Sequence, residues 1–220
     1  MLTEHMTNAI RILGLDPGLR RTGWGVVAVE GSRLTHVAHG VIAPADKAPL
    51  SERLLAVFQA VVAIIEEHRP HEAAIEETFM TANGQSTLKL GHARAAAMLA
   101  PAQAGLPVAE YAAKVVKKAV VGTGGAEKDQ VAFMIARLLP TAGNPSADAA
   151  DALAVAIAHA HGRVLLQRGY GGQANHSRLQ AAVLATAAPP QTPAAAKLAA
   201  ARKLAMSATA RSGAPRRVGR

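Results

Sequence analysis

Three apolar runs open the chain and are followed by helical and extended segments in turn, an order that few folds accommodate. Ile10 to Leu15 is a short apolar run that stops at Pro17-Gly18. Thr22 to Glu30 and Arg33 to Ala43 are parted only by Glu30-Gly31-Ser32, which suits antiparallel strands joined by a tight connection. Leu50 to His68 carries Leu54, Leu55, Phe58, Val61, Val62 and Ile65 at a helical period, with Ser51 expected as its N-cap and Pro70 as its stop. Glu72 to Glu77 reads as a fourth strand, and Thr78 to Gln85 as a polar loop. A helix is expected from about Ser86 to Ala100, where Pro101 interrupts the pattern. Pro107 to Ala112 reads as a fifth strand. Helices over Lys114 to Val121, Glu127 to Leu139 and Ser146 to about His161 complete the set. The order β-β-β-α-β-α-β-α-α-α predicts an α/β domain, a mixed sheet with helices on its faces.

Half of the 220 residues are apolar, enough for one well-packed core. With no cysteine, disulfides and thiolate metal sites are excluded, and a reducing cytosol fits. No apolar stretch approaches the roughly 18 residues needed to cross a bilayer. Residues Met1 to Ala9 lack the pattern of a signal peptide, so a cytoplasmic protein is expected. The net charge of +9 is unevenly placed. Nine of the 24 Lys and Arg follow Arg163 and none of the 15 acids do, so the first 163 residues are formally neutral. The expected division is an extension over 1–9, with Met6 as an alternative start, a domain over 10–163, and a basic Ala- and Pro-rich tail over 164–220. That tail buries little and is expected to be disordered. The nine histidines show no ligand spacing and are read as structural.

Four acids carry the chemistry. Asp16 follows the first apolar run, where an acid is costly unless something pairs with it, although turn chemistry also explains Asp-Pro-Gly. Glu76 and Glu77 stand where Ala73-Ala74-Ile75 runs out; alternation sends them to opposite faces, and the residues alone do not say which one joins a site. Asp148 and Asp151 lie three apart in the first turns of an Ala-rich helix and so share a face. The helix dipole favours acids there, with Ser146 as a cap, but two like charges on one face also invite a cation between them. Two strand-end acids and a paired-acid helix are what an oxygen-lined Mg²⁺ or Mn²⁺ site needs. Two such ions can activate a water and stabilise the leaving oxygen in phosphodiester hydrolysis. If four acids hold metal, the remaining surface of the domain is net basic.

These residues also carry a resemblance. Gly14-Leu15-Asp16-Pro17-Gly18, Thr22-Gly23-Trp24-Gly25 and Ala74-Ile75-Glu76-Glu77-Thr78-Phe79-Met80 resemble the RuvC crossover-junction endodeoxyribonucleases. So do Leu88-Lys89-Leu90-Gly91-His92-Ala93-Arg94, Glu110-Tyr111-Ala112, Val120-Val121-Gly122, Ala126-Glu127-Lys128 and Asn144-Pro145 to Leu153. The likeness runs in order from about Ile10 to His161. It implies a ribonuclease-H-like fold and a homodimer that nicks two strands of a four-way (Holliday) DNA junction symmetrically with Mg²⁺, in recombination and repair. The branch-migration complex RuvA-RuvB is implied as a partner. The family's four catalytic acids fall on Asp16, Glu76, Asp148 and Asp151, its motif lysines on Lys117 and Lys128, and its loop aromatic on Phe79.

Lys114 and Lys118 add charge beside Lys117, and lysines near a scissile phosphate ease the approach of DNA to a carboxylate cluster. Phe79 lies in a polar loop, where it suits base stacking or wedging. The helix from Ser86 carries Leu88, Gly91 and Ala95, small or apolar positions expected in a two-fold interface. The tail suits a non-specific DNA tether. Two other classes compete. An actin-like ATPase would need a second Gly-rich phosphate loop, which the chain lacks. A non-catalytic junction-binding module would tolerate loss of the acids, yet all four are present.

Overall fold

The computed structural model describes residues 9–77 and 84–167. In chain order they form β1 (Ile10–Asp16), β2 (Thr22–Glu30), β3 (Arg33–Ile42), α1 (Leu50–His68), β4 (Glu72–Glu76), α2 (Gly84–Gln103), β5 (Val108–Tyr111), α3 (Ala113–Val121), α4 (Lys128–Leu138) and α5 (Ala147–Gln167). A 3-10 turn at Pro140–Ala142, absent from the sequence expectation, joins α4 to α5. The five strands lie in the order β3-β2-β1-β4-β5. β1, β2 and β3 pair antiparallel, because the β2–β3 link is a tight turn at Gly31, whose φ is +59°. β4 pairs parallel with β1, and β5 parallel with β4, each reached through a helical crossover.

Alternation sorts the sheet into two faces. Leu13, Leu15, Val26, Ala73 and Ile75 point to one side and close a core with Val57, Val61 and Ile64 of α1 and Ala93, Ala96, Ala97 and Ala100 of α2. Ile12, Val27, Val29 and Ala74 point to the other and meet Leu153 and Ile157 of α5, with α3 and α4 behind. Leu13, Leu15, Leu153 and Ile157 are fully buried, each worth about 1.5–3 kcal/mol relative to exposure.

The Ala-rich composition of α5 has a geometric cause. A side chain at Gly14 would meet the Ala152 carbonyl at 2.1 Å, and one at Gly23 the Asp148 carbonyl at 1.9 Å. Helix backbone thus lies directly on strand backbone, where Ala152 and Ala156 face Gly14 at a separation that leaves no room for larger side chains, and Ala149, Ala150 and Ala160 of the same helix are also buried.

Several local expectations are corrected. Pro49, not Ser51, is the N-cap of α1, and no side chain caps it. A fixed φ suits Pro to the first positions of a helix, which leaves Ser51 inside the first turn. Pro101 does not interrupt α2, which runs on to Gln103. The ring forfeits one hydrogen bond near the end of the helix and is buried, so the helix survives it. α5 continues past His161 to Gln167.

Nor is His159 a bystander. Its Nε2 lies 2.7 Å from Glu72 Oε2 and its Nδ1 2.8 Å from the Tyr111 hydroxyl, while Arg163 Nε donates to Glu72 at 2.8 Å. Burial acts to raise the Glu72 carboxyl, but His159 and Arg163 outweigh it and hold it below its ordinary value. A bulge opposite Val26 and Val27 lets His36 and His39 share a face, with ring nitrogens 2.8 Å apart. Among the described residues no helix is long and apolar enough to cross a membrane.

Candidate active site

Parity and register gather the acids. Asp16 ends β1 and Glu76 ends β4, one residue beyond the last parallel pair, Leu15 with Ile75. They finish side by side on the face that carries Ile12 and Ala74, the face on which α5 lies. Asp16 also pairs with Gly23, the glycine under the Asp148 carbonyl. The first two turns of α5 therefore bring Asp148 and Asp151 over the same end of the sheet. Three elements distant in sequence supply four carboxylates to one place.

Their electrostatics record the proximity. Burial, then Asp151 and Asp148, push the Asp16 carboxyl from 3.8 up to about 6, with Lys128 opposing. Burial, then Asp16 and Asp151, push Glu76 from 4.5 up to about 7, against Lys117 and Lys128. Asp151 is raised by burial and by Asp148, with Lys128 and Lys117 opposing. The choice between the neighbouring glutamates follows. Glu76 is the one in the field of Asp16 and Asp151, whereas the Glu77 backbone N–H donates to the Tyr111 carbonyl and extends the β4–β5 edge.

Lysines and arginines border the cluster. Lys128, the first residue of α4, places Nζ 3.9 Å from Asp151 Oδ2. The helix start is fixed by reciprocal hydrogen bonds between Glu127 and Gln130. Lys117 of α3 acts on Glu76 and Asp151, while Lys114 and Lys118 are exposed on the same short helix. Arg21 Nε donates to Asp148 Oδ2 at 2.6 Å. Arg94 Nε donates to the Glu76 carbonyl at 3.2 Å, and its Nη2 pairs with Glu110, so β4 is tied at the point where it delivers its acid.

The sequence reading assigned no role to either arginine. Arg21 follows the Asp-Pro-Gly turn by three residues, a position that announces proximity to Asp16 but not to Asp148. Arg94 stood in a recognised motif without a partner to explain it. Phe79 lies outside the described residues. Leu88, Gly91 and Ala95 fall on one exposed stripe of α2 together with Leu99, and Leu88 and Leu99 are 61% and 60% exposed. Ala93, Ala96, Ala97 and Ala100 face the protein's own core instead.

As the side chains stand, the described residues include no group of three or more His or acidic side chains arranged to hold one ion. Asp148 is turned to Arg21 and Asp151 to Lys128. The donor chemistry nevertheless fits a hard divalent cation, since every donor is a carboxylate oxygen and Asp16 and Glu76 are raised partly by neighbouring acids.

Comparison with known proteins agrees with this arrangement. A family model described as Crossover junction endodeoxyribonuclease RuvC matches residues 12–159. The crossover junction endodeoxyribonuclease RuvC of Caulobacter vibrioides is 70% identical over 158 residues, covering 72% of this chain and 94% of that protein. A structure of Thermus thermophilus RuvC in complex with Holliday junction substrate superposes with a TM-score of 0.67 at 33% identity, covering 71% of this chain and 96% of that one. The yeast mitochondrial Holliday junction resolvase Ydc2 shares the fold at a TM-score of 0.55 and 14% identity, over 73% of this chain and 83% of that one. The mixed sheet with helices on both faces is accordingly the ribonuclease-H-like architecture that the resemblance implied. This chain belongs to the RuvC family of crossover junction endodeoxyribonucleases.

Proposed function

We propose that the protein resolves four-way DNA junctions by divalent-metal-dependent hydrolysis, with Asp16, Glu76, Asp148 and Asp151 as the metal-holding acids. Mg²⁺ is the ion and Mn²⁺ substitutes for it. The observation that carries this reading is the convergence of acids from β1, β4 and α5, with Asp16 raised to about 6 and Glu76 to about 7. Bound ions supply an activated water and stabilise the departing oxygen. The chain's own residues do the rest. Lys117 and Lys128 offset carboxylate charge and draw the phosphate in, with Lys114 and Lys118 extending that positive edge along α3. Arg94 fixes the end of β4, and so the backbone from which Glu76 projects. Phe79 meets an unstacked base near the crossover.

Two active sites are needed for two strands, and the exposed stripe of Leu88, Gly91, Ala95 and Leu99 suits a two-fold pairing of α2 helices. The Thermus relative was solved on a Holliday junction substrate, and the same substrate is proposed here. Branch-migration proteins of the RuvA-RuvB kind are the proposed partners. The test replaces each acid in turn, Asp16→Asn, Glu76→Gln, Asp148→Asn and Asp151→Asn, and follows Mg²⁺-dependent cleavage of a synthetic junction beside gel-shift binding. Each variant is expected to lose cleavage at least a hundredfold, about 3 kcal/mol of transition-state stabilisation, while binding survives. Normal cleavage by any one variant removes that residue from the site.

A further inference from the structure

Arg21 has no part in the reading above, yet its contact with the acid cluster, at 2.6 Å, is closer than the 3.9 Å separating Lys128 from Asp151. The loop that presents it is held from several directions. The Thr22 side chain is buried, and its hydroxyl donates to the Gly18 carbonyl at 2.8 Å while accepting from the Gly18 N–H at 3.3 Å. A side chain at Gly18 would meet the Arg21 carbonyl at 2.3 Å, so the turn closes tightly on itself. From α1, Arg53 Nη2 donates to the Leu19 carbonyl at 2.8 Å. Arg21 is thus aimed by a braced loop at Asp148, an acid that Lys128 does not pair. The Arg21 side chain is 55% exposed and that of Asp148 33% exposed, so the contact can open without disturbing the core.

We propose that Arg21 is a built-in competitor for the divalent ion. It occupies Asp148 in the metal-free protein, must give that carboxylate up when metal enters, and thereby sets the metal concentration the protein requires. The inference rests on the proposed metal-holding role of the four acids. A guanidinium satisfies a lone carboxylate well and is always charged, so only a second cation or a competing anion relieves the pair. Four acids without any metal would repel one another, and Arg21 lowers that repulsion for Asp148 as Lys128 does for Asp151. The cost of the arrangement is borne by metal affinity.

The experiment titrates Mn²⁺ into the full-length, DNA-free protein at pH 8 by isothermal titration calorimetry, a readout independent of cutting. Arg21→Gln removes the charge but keeps a polar side chain of moderate length. It is expected to bind Mn²⁺ about tenfold more tightly, the scale of one unit charge acting on a divalent ion at a half-exposed contact. Arg21→Lys should restore most of the wild-type weakness. Arg20→Gln, which loses the same charge from the neighbouring exposed position, should leave affinity within about twofold because an exposed charge with no ion pair to the cluster acids is screened. Thermal unfolding in EDTA checks that each variant is folded, and Arg21→Lys keeps the comparison available if Arg21→Gln is not. Unchanged or weaker Mn²⁺ binding by Arg21→Gln overturns the inference, as does an equal gain in Arg20→Gln. If the wild type and every variant bind no Mn²⁺, the metal-holding role of the acids fails and the inference falls with it. Binding lost only in Asp148→Asn, with Arg21→Gln unchanged, sinks the inference alone.

Discussion

The raised carboxyls make stability depend on pH with a definite sign. Taking Asp16 from 3.8 to about 6 penalises its charged form by about 3 kcal/mol, and taking Glu76 from 4.5 to about 7 does the same by about 3 kcal/mol. The two share part of one repulsion and both are partly solvated, so the pair costs about 4 kcal/mol at most. In both, the folded state holds its proton to higher pH than the unfolded chain. Unfolding stability therefore falls as pH rises, with no penalty below about pH 4 and the full penalty above about pH 7. Glu72 acts in the opposite sense. Its carboxyl is held low, so its contribution is present above its unfolded value of 4.5 and lost as pH falls through the folded one. His36, held below 6.5 by burial and by His39, also binds fewer protons when folded and opposes the trend as pH rises from its folded value through 6.5.

The informative quantity is consequently a difference. Asp16→Asn removes one charged acid and relieves Glu76, while leaving Glu72 and His36 untouched. Urea unfolding in EDTA at pH 4.5, 6, 7 and 8 should show the variant no more than slightly different from wild type at pH 4.5. By pH 8 it should be more stable by about 2–3 kcal/mol. A difference that stays flat across the series, or a variant less stable at pH 8, refutes the argument that burial and the neighbouring acids raise these carboxyls. Saturating Mg²⁺ should erase most of the wild-type loss at pH 8, because a bound cation replaces the missing partner.

Gly23→Ala drives a methyl to within 1.9 Å of the Asp148 carbonyl and should cost at least about 2–3 kcal/mol, read as a fall in Tm together with weakened Mg²⁺ dependence. Lys128→Ala removes a cation that lowers Asp16, Glu76 and Asp151, so the rising limb of the cleavage pH profile should move to higher pH; an unmoved limb counts against its electrostatic role. Leu88→Glu or Ala95→Glu puts a charge on the exposed stripe of α2 and should yield monomers by sedimentation; a variant that stays dimeric with paired nicking places the interface elsewhere.

Element order was legible because each segment announces its own period. The alternation of β2 and the apolar ladder of α1 are local signals, and both survive folding. What escaped was set by tertiary contact. Whether a proline ends a helix depends on what its ring packs against, and Pro101 is buried. Asp16 and Glu76 were legible as candidates because each stands at the end of an apolar strand, and Asp148 and Asp151 because they share one face at a helix start. Turn chemistry and the helix dipole offer each a structural role taken singly, and only the set of four points to a site. Their partners were not. Arg21 is 127 positions from Asp148, and Arg94 is 18 from the Glu76 carbonyl it binds. Such pairings have no periodicity to betray them. The choice of Glu76 over Glu77 was likewise undetermined by alternation alone, since that requires knowing which face α5 covers.

The position of α5 joins these observations into one argument. Sequence alone offers two separate oddities in this segment, an excess of alanine and a pair of acids three apart. The structure makes them consequences of a single requirement. To place carboxylates over the ends of β1 and β4, the helix must start at the edge of the sheet and lie closer to it than ordinary side chains permit. Glycine at positions 14 and 23 supplies the clearance from below, and alanine at 152 and 156 supplies it from above. The same seats fix the helix rotation. A slip of one residue would turn Asp148 and Asp151 by about 100° and drive larger neighbours into the strand backbone. Stability and chemistry are therefore coupled with opposite signs at one contact. Close packing of helix on sheet stabilises the fold, and the acids it brings together destabilise it until a cation arrives. Lys117, Lys128 and Arg21 reduce that cost without abolishing it, for the Asp16 and Glu76 carboxyls remain raised despite them. A cluster more fully neutralised by its own arginines and lysines would be more stable and would bind metal less well. On the proposed metal-holding role of these acids, the raised carboxyls are the part of the strain left for the metal to relieve.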